Sequence, residues 1–204
     1  AGGHAKGVIE ALASRGVHVS GVADPGLAAQ GQFSWRGIDV LGGDDAVFAL
    51  DPANVRLVNG IGSVPGGKSD LRKELFVRYS EAGYRFLTVI HAFSAVSESA
   101  SLEDGVQVMA GAIVQADATV GPNTLINTNA SIDHDCLVGA HCHIAPGVTV
   151  CGGVRVGESV HIGTGASVVQ GISLGARSLV GAGVTVRKDV APGTTFVGEK
   201  RPAL

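Results

Sequence analysis

The chain has 204 residues, with 15 Lys and Arg against 18 Asp and Glu and a formal net charge of −3 at pH 7. That balance supplies no basic field for nucleic acid, and Gly and polar residues break every apolar run short of the ~20 residues that a membrane-spanning helix needs. The 31 Gly, with only 4% aromatics, suit short strands joined by tight corners. The three Cys are Cys136, Cys142 and Cys151, an odd number in one stretch. This is no disulfide framework, and with no signal-peptide pattern it places the protein in a reducing cytoplasm.

Residues 1–90 read as an α/β domain. Ala1-Gly-Gly-His-Ala-Lys-Gly7 opens onto a helical pattern at Val8, Ile9 and Leu12. Such a Gly-rich turn normally follows a strand, so the first strand of the domain is expected ahead of Ala1. Residues Val17 to Asp24 read as a buried strand ending in an acid, and Val55 to Gly62 as a second strand running into a Gly turn. Ser69 to Ala82 is a predicted helix with Ser69 as N-cap and Gly83 as stop. Arg85 to Ile90 is a third strand. Strands alternating with helices predict a parallel, Rossmann-like sheet.

Residues 91–204 follow another rule. From Val96 to Val186 an aliphatic residue falls at every sixth position, through Val108, Val120, Ile132, Ile144, Val156, Val168 and Val180 among others. A second series, four residues after each, is mostly small or apolar: Ala100, Val106, Ala112, Ala118 and so on to Cys136, Cys142 and Val190. A third, one residue after the first, is often Gly: Gly121, Gly139, Gly157, Gly163, Gly175, Gly181. Neither the helical period of 3.6 nor the strand period of 2 produces a strict six. A hexapeptide repeat does, and it predicts a parallel β-helix of about five coils, each of roughly 18 residues. Pro192-Gly193 marks its end.

The densest polar cluster runs from Asn127 to Asp135 and is followed by His141-Cys-His143. In the repeat frame Ile132 and Cys136 point inward, which leaves Asp133, His134 and Asp135 outward or at a corner. An outward His beside a carboxylate is a candidate general base, because the anion stabilises the imidazolium and sets its tautomer. The competing reading is a solvated corner. His143 and His161 are 18 residues apart and should stack on adjacent coils. With Cys136 and Cys142 nearby zinc is conceivable, but the spacing matches no zinc signature and both Cys hold inward positions. No metal is expected. Gly2, Gly3 and His4 at a helix start, with Asp24 after the next strand, form a second constellation. Helix N-terminal N–H groups hold phosphate, and an acid at a strand end holds a ribose hydroxyl. Gly60-Ile-Gly62 would close the same pocket. Arg187 and Lys188 read either as an anion contact or as an exposed charged corner.

Taken together, Gly2-Gly3-His4, Asn59-Gly-Ile-Gly62, Val89-Ile-His91, Asn127-Thr128, Ile132-Asp-His-Asp135, His143 and Val197-Gly198 resemble a known family. It is the left-handed β-helix sugar acetyltransferases of the sialic-acid O-acetyltransferase and bacillosamine-type N-acetyltransferase group. The resemblance implies a nucleotide-sugar-binding α/β domain and a β-helix that forms a homotrimer and binds acetyl-CoA between subunits. It implies His134 as general base, Asp135 as its acidic neighbour and Asn127 in support. His143, Gly152, Thr164 and Ala182 would line acetyl-CoA, with Gly152 N–H facing the thioester oxygen. Gly2, Gly3, His4, Asp24 and Gly62 would bind the nucleotide sugar. Two departures stand out: Ser63 to Ser69 is an addition after Gly62, and the chain ends Val-Gly-Glu-Lys-Arg-Pro-Ala-Leu instead of the family's usual Val-Gly-x-Pro-Ala-Lys.

The expected reaction is direct N-acetylation of a UDP- or GDP-linked 4-amino sugar. O-acetylation of a sugar such as sialic acid is the close alternative. A non-catalytic β-helix scaffold and a zinc enzyme of the carbonic-anhydrase type are alternatives of other classes.

Overall fold

The computed structural model describes residues 1–62 and 70–198. The backbone separates into two compact units, Ala1–Ala92 and Phe93–Leu204. Ser69, the segment from Ser63 and the tail from Glu199 lie outside the described residues.

In the first unit, helix α1 (Gly3–Ala13) buries Ala5, Val8, Ala11 and Leu12, a stripe at helical spacing. It ends in a Schellman turn. Val17 N–H reaches Leu12 O and Gly16 N–H reaches Ala13 O, both at 3.0 Å, with Gly16 at φ +72°. The strand expected over residues 17–24 shrinks to β1 (Val22–Ala23). Its partner β3 (Ile38–Gly42) offers only a short parallel edge, and the register shifts between Val22 and Ala23. Beyond β1, Asp24 caps α2 (Pro25–Ala29) by accepting Leu27 N–H at 2.9 Å. An antiparallel hairpin of β2 (Ser34–Trp35) with β3 was not anticipated, so the sheet is mixed, not purely parallel. Its signal is Arg36-Gly37, both at positive φ, which a tight hairpin turn requires.

The predicted strands at 55–62 and 85–90 meet in a single parallel bridge, Leu57 to Phe86. Helix α3 (Leu71–Glu81) takes Asp70 as its cap and stops at Gly83, φ +88°. Phe76, Tyr79, Tyr84, Phe86 and Val47 form a small core, with the Phe76 and Phe86 rings 4.5 Å apart. The Tyr84 hydroxyl donates to Val47 O or Leu50 O, at 2.7 and 2.8 Å, which ties the 3-10 turn Asp44–Ala49 to this core.

In the second unit two-residue strands recur every six residues and pair in parallel with the strand 18 residues away, as in Leu125–Ile126 with His143–Ile144. Three faces result. The first carries Gln107, Leu125, His143, His161 and Leu179 as the leading strand residues. The second carries Ile113, Ser131, Thr149 and Ser167, and the third Thr119, Leu137, Arg155 and Ser173. Every member of the aliphatic series from Val108 to Val186 is buried, at 4% exposure or less. Those side chains stack coil upon coil as the core of the unit.

Two periodic features explain the corners. From Gly105 to Gly183 every sixth residue has positive φ, and these are Gly, Asn, Asp, His, Ser or Arg. The chain turns there by one left-handed residue per corner. The Gly series has a separate cause: a Cβ at Gly157 would lie 2.5 Å from Ala176 N on the next coil. Cys136 and Cys142 point inward as expected, their thiols donating to Cys151 O at 3.2 Å and Gly157 O at 3.0 Å. Burial pushes the Cys142 thiol up to about 11.

The repeat closes with a register change. Val190 bridges Leu174, and Thr195–Phe196 pairs with Leu179–Val180, so the last turn is two residues short of 18. Val190, expected in the small-residue series, occupies an aliphatic position instead. The break falls where Arg187-Lys188-Asp189 replaces a normal corner, and Asp189 Oδ1 accepts Ser173 N–H at 2.8 Å. Among the described residues no helix is long and apolar enough to cross a membrane.

Candidate active site

The corner between the second and third faces carries Asp133, His134 and Asp135. Asp133 Oδ1 accepts His134 N–H at 2.8 Å. The neighbouring coils pin the same backbone: Gly153 N–H donates to His134 O at 2.9 Å, and Asp135 N–H to Ala116 O at 3.1 Å. Asp135 occupies the left-handed corner position, φ +59°, and its Oδ2 lies 2.7 Å from His134 Nδ1. Both side chains are exposed, at 61% and 65%. The bond to Asp135, then the charge of Asp133, raises the imidazole pKa above its ordinary 6.5. With Nδ1–H held by the carboxylate, Nε2 is the atom open to a proton. One coil further on, Gly152 lies against that edge. A Cβ there would sit 2.7 Å from both Cε1 and Nε2 of His134. Gly152 is therefore small for steric reasons.

Asn127 lies elsewhere, at the corner between the first and second faces. Its Oδ1 accepts Thr128 N–H at 2.8 Å, which fixes the amide orientation and turns Nδ2 toward His143 Nε2, 3.2 Å away. The Asn127 amide donates in this contact in the tautomer that carries the ring proton on Nδ1. His143 is buried and packs edge-on against His161, ring centroids 4.7 Å apart. The two stack as the spacing predicted. Burial lowers the His161 pKa, the reverse of His134. Thr164 and Ala182 stack on Asn127's corner, where Gly183 N–H donates to Thr164 O at 2.8 Å. The chain thus gathers His134, Asp135 and Gly152 at one corner, and Asn127, His143, Thr164 and Ala182 at the first face and its corner. Asn127 and His134 share no hydrogen bond.

Comparison with known proteins places this arrangement. Residues 117–152 match the family model for bacterial transferase hexapeptides (six repeats), and residues 153–188 the model for the hexapeptide repeat of succinyl-transferase. The chain is 38% identical to GDP-perosamine N-acetyltransferase from Caulobacter crescentus, solved as a histidine variant with CoA and GDP-perosamine. The match covers 94% of this chain and 88% of that one, with TM-score 0.84. It is 32% identical to the acetyltransferase domain of PglB from Neisseria gonorrhoeae, solved with acetyl coenzyme A, over 97% and 92% of the two chains, TM-score 0.86. This chain belongs to the hexapeptide-repeat sugar acetyltransferases. WeeI from Acinetobacter baumannii, 23% identical over 84% of this chain and 79% of that one, shares the fold at TM-score 0.69.

The first unit of this acetyltransferase gathers the other predicted residues. Gly2 caps α1 with no side-chain bond, and no acid occupies the first turn. The backbone nitrogen of Ala1 lies beside the Asp24 carboxylate. Asp24 is less open than a bare strand-end acid, because one oxygen is committed to the α2 cap. Gly62 lies against His4, where a Cβ would meet the His4 Cβ at 3.3 Å. Gly2, Gly3, His4, Asp24 and Gly62 therefore share one neighbourhood.

The sequence reading gave no part to two residues. Asp133 was placed outward without a role, although an acid immediately before the His is the signal for its cap. Arg72, inside the helix predicted over residues 69–82, gave no signal at all. Among the described residues no three His, Cys, Asp or Glu converge as a metal site. An open groove of about 720 Å3 on the third face, lined by Leu137, Arg155, Ser173 and Pro192, contains none of the expected site residues. Arg187 and Lys188 are exposed.

Proposed function

We propose that the protein transfers the acetyl group of acetyl-CoA to the amine of a UDP- or GDP-linked 4-amino sugar. The observation that carries this reading is the His134–Asp135 pair set against Gly152, in a chain 38% identical to GDP-perosamine N-acetyltransferase along nearly its whole length.

Asp135 holds Nδ1–H of His134 and stabilises the imidazolium that forms. The sugar amine attacks the thioester carbonyl, and Nε2 of His134 takes the proton the nitrogen loses. Gly152 N–H donates to the oxyanion of the tetrahedral intermediate; a backbone donor of this kind is oriented before the reaction begins. The carbon–sulfur bond then breaks, and the imidazolium returns its proton to the CoA thiolate. An acetyl-cysteine route is disfavoured, because Cys136 and Cys142 are buried with raised pKa values.

The α/β unit is assigned to the nucleotide sugar as a Rossmann-like module. The opening turns of α1 at Gly2, Gly3 and His4 receive the diphosphate, Asp24 the nucleoside hydroxyls, and Gly62 closes the loop. A homotrimer supplies the remaining geometry. His134 and Gly152 lie at one corner and His143, Thr164 and Ala182 at another, so a second copy offers the acetyl-CoA contacts that one chain keeps apart. Three free thiols and the proposed substrates fit a cytoplasmic enzyme.

The test is a panel of UDP- and GDP-4-amino sugars, plain sugars and sialic acid with acetyl-CoA, reading CoA release and the acetylated atom by mass spectrometry. Transfer to nitrogen on a nucleotide-linked acceptor is expected. CoA release only with hydroxyl acceptors makes the enzyme an O-acetyltransferase. No release with any acceptor returns the inert-scaffold reading.

A further inference from the structure

Among the described residues of the α/β unit Arg72 is the most buried cation, at 4% exposure, and it lies in the first turn of α3. Its Nη1 donates to Ile61 O at 2.8 Å and to Asn59 O at 3.4 Å. Asn59, 7% exposed, returns the contact by donating Nδ2 to Arg72 O at 2.9 Å. Its Oδ1 accepts Ile61 N–H at 3.1 Å. Two buried side chains thus clasp residues 59–61 to α3.

This segment runs from a strand bridge to the first turn of α1. The strand ladder on its N-terminal side ends at the Leu57–Phe86 bridge. Beyond it Gly60 lies against Ala5 and Gly62 against His4, so the segment runs along the first turn of α1. The Ile61–Gly62 peptide is trans. Its carbonyl faces Arg72, so its N–H points the opposite way. Accepting a bond from a cation at the carbonyl strengthens the N–H at the other end of the same peptide. A packing role alone does not require a charge, since apolar residues of similar volume often replace buried ionic groups without loss.

We infer that Arg72, clasped by Asn59, is a positioning residue for the nucleotide sugar. It orients and polarises the Ile61–Gly62 peptide so that Gly62 N–H donates to the ligand's diphosphate beside His4. The inference rests on the reading of the α/β unit as the nucleotide-sugar module.

The experiment uses the full chain and its Arg72→Met, Arg72→Lys and Asn59→Ala variants. It measures GDP and UDP binding by calorimetry, and KM for each substrate with kcat. In Arg72→Met, nucleotide affinity falls and nucleotide-sugar KM rises about tenfold or more, the scale of a lost bond to a charged group. The acetyl-CoA KM and kcat stay within about twofold, since uniform binding is lost and not transition-state contact. Arg72→Lys recovers part of the affinity because it keeps the charge. Should Arg72→Met not fold, Asn59→Ala, which frees Ile61 N–H and leaves the cation, gives the same split. Wild-type binding that persists in the folded variants overturns this inference alone, as does a parallel loss in both substrates. Failure of the wild type to bind either nucleotide overturns the module assignment and this inference with it.

Discussion

His134 and His161 belong to neighbouring coils, yet their surroundings drive the two imidazoles in opposite directions. His134 stands at a corner, exposed, with Asp135 on Nδ1 and Asp133 behind it, and its pKa is raised. His161 lies along a face, packed edge-on against His143, and its pKa is lowered by burial. A corner of the repeat accommodates charge, because its side chains reach solvent and its left-handed residue can be an Asp. A face does not. The corner therefore raises the proton affinity of its histidine, and the face lowers that of His161.

Removing the corner histidine should separate the two regions most sharply. In His134→Ala we expect kcat to fall by about 10²–10⁴, the usual contribution of a positioned base, with acetyl-CoA KM little changed; CoA thiol release measures both. Near-normal turnover would move the base elsewhere. Gly152→Ala is next. The added methyl enters the space of the His134 ring edge, and a drop of roughly tenfold to a hundredfold in kcat/KM is expected, as for small displacements of a reacting group. Circular dichroism should show the fold intact; unchanged kinetics would mean the ring swings away without cost.

The pH profile sharpens the electrostatic half of the contrast. The base form of His134 is lost as pH falls through its raised pKa, so the acid limb of kcat/KM should lie above 6.5. Asp135→Asn removes the largest cause, and the limb should move to lower pH while the rate drops. A limb that does not move would detach it from His134. The smallest effect is expected from Asn127→Ala, where His143 loses its side-chain hydrogen bond to Asn127. We expect a few-fold change in acetyl-CoA KM, on the scale of one neutral hydrogen bond, and an altered imidazole nitrogen NMR signal for His143 but not for His134.

The two units also differ in how much of them could be read in advance. In the coils each inference was local and repeated. Ile132 and Cys136 inward put His134 outward, and the spacing of His143 and His161 meant contact. The left-handed corner series went unread because Gly, Asn, Asp, His, Ser and Arg share no single chemical signature, only a tolerated φ. The register change at Val190 was hidden because Val suits either series. In the α/β unit, hydrophobic runs at 17–24 and 55–62 looked like full strands. A strand lasts only as far as its partner, and the partners here stop at Val22–Ala23 and Leu57.

Sequence alone determined the coil architecture, the inward and outward sets and the His134–Asp135 pair, because a strict period of six fixes side-chain direction without long-range information. Tertiary structure decided the rest. It gave Asn127 to His143 instead of His134, brought Gly152 under the His134 ring and Gly62 against His4, and placed the Arg72 guanidinium behind residues 59–61. Each of those depends on where a distant segment lies in space, which no local spacing encodes.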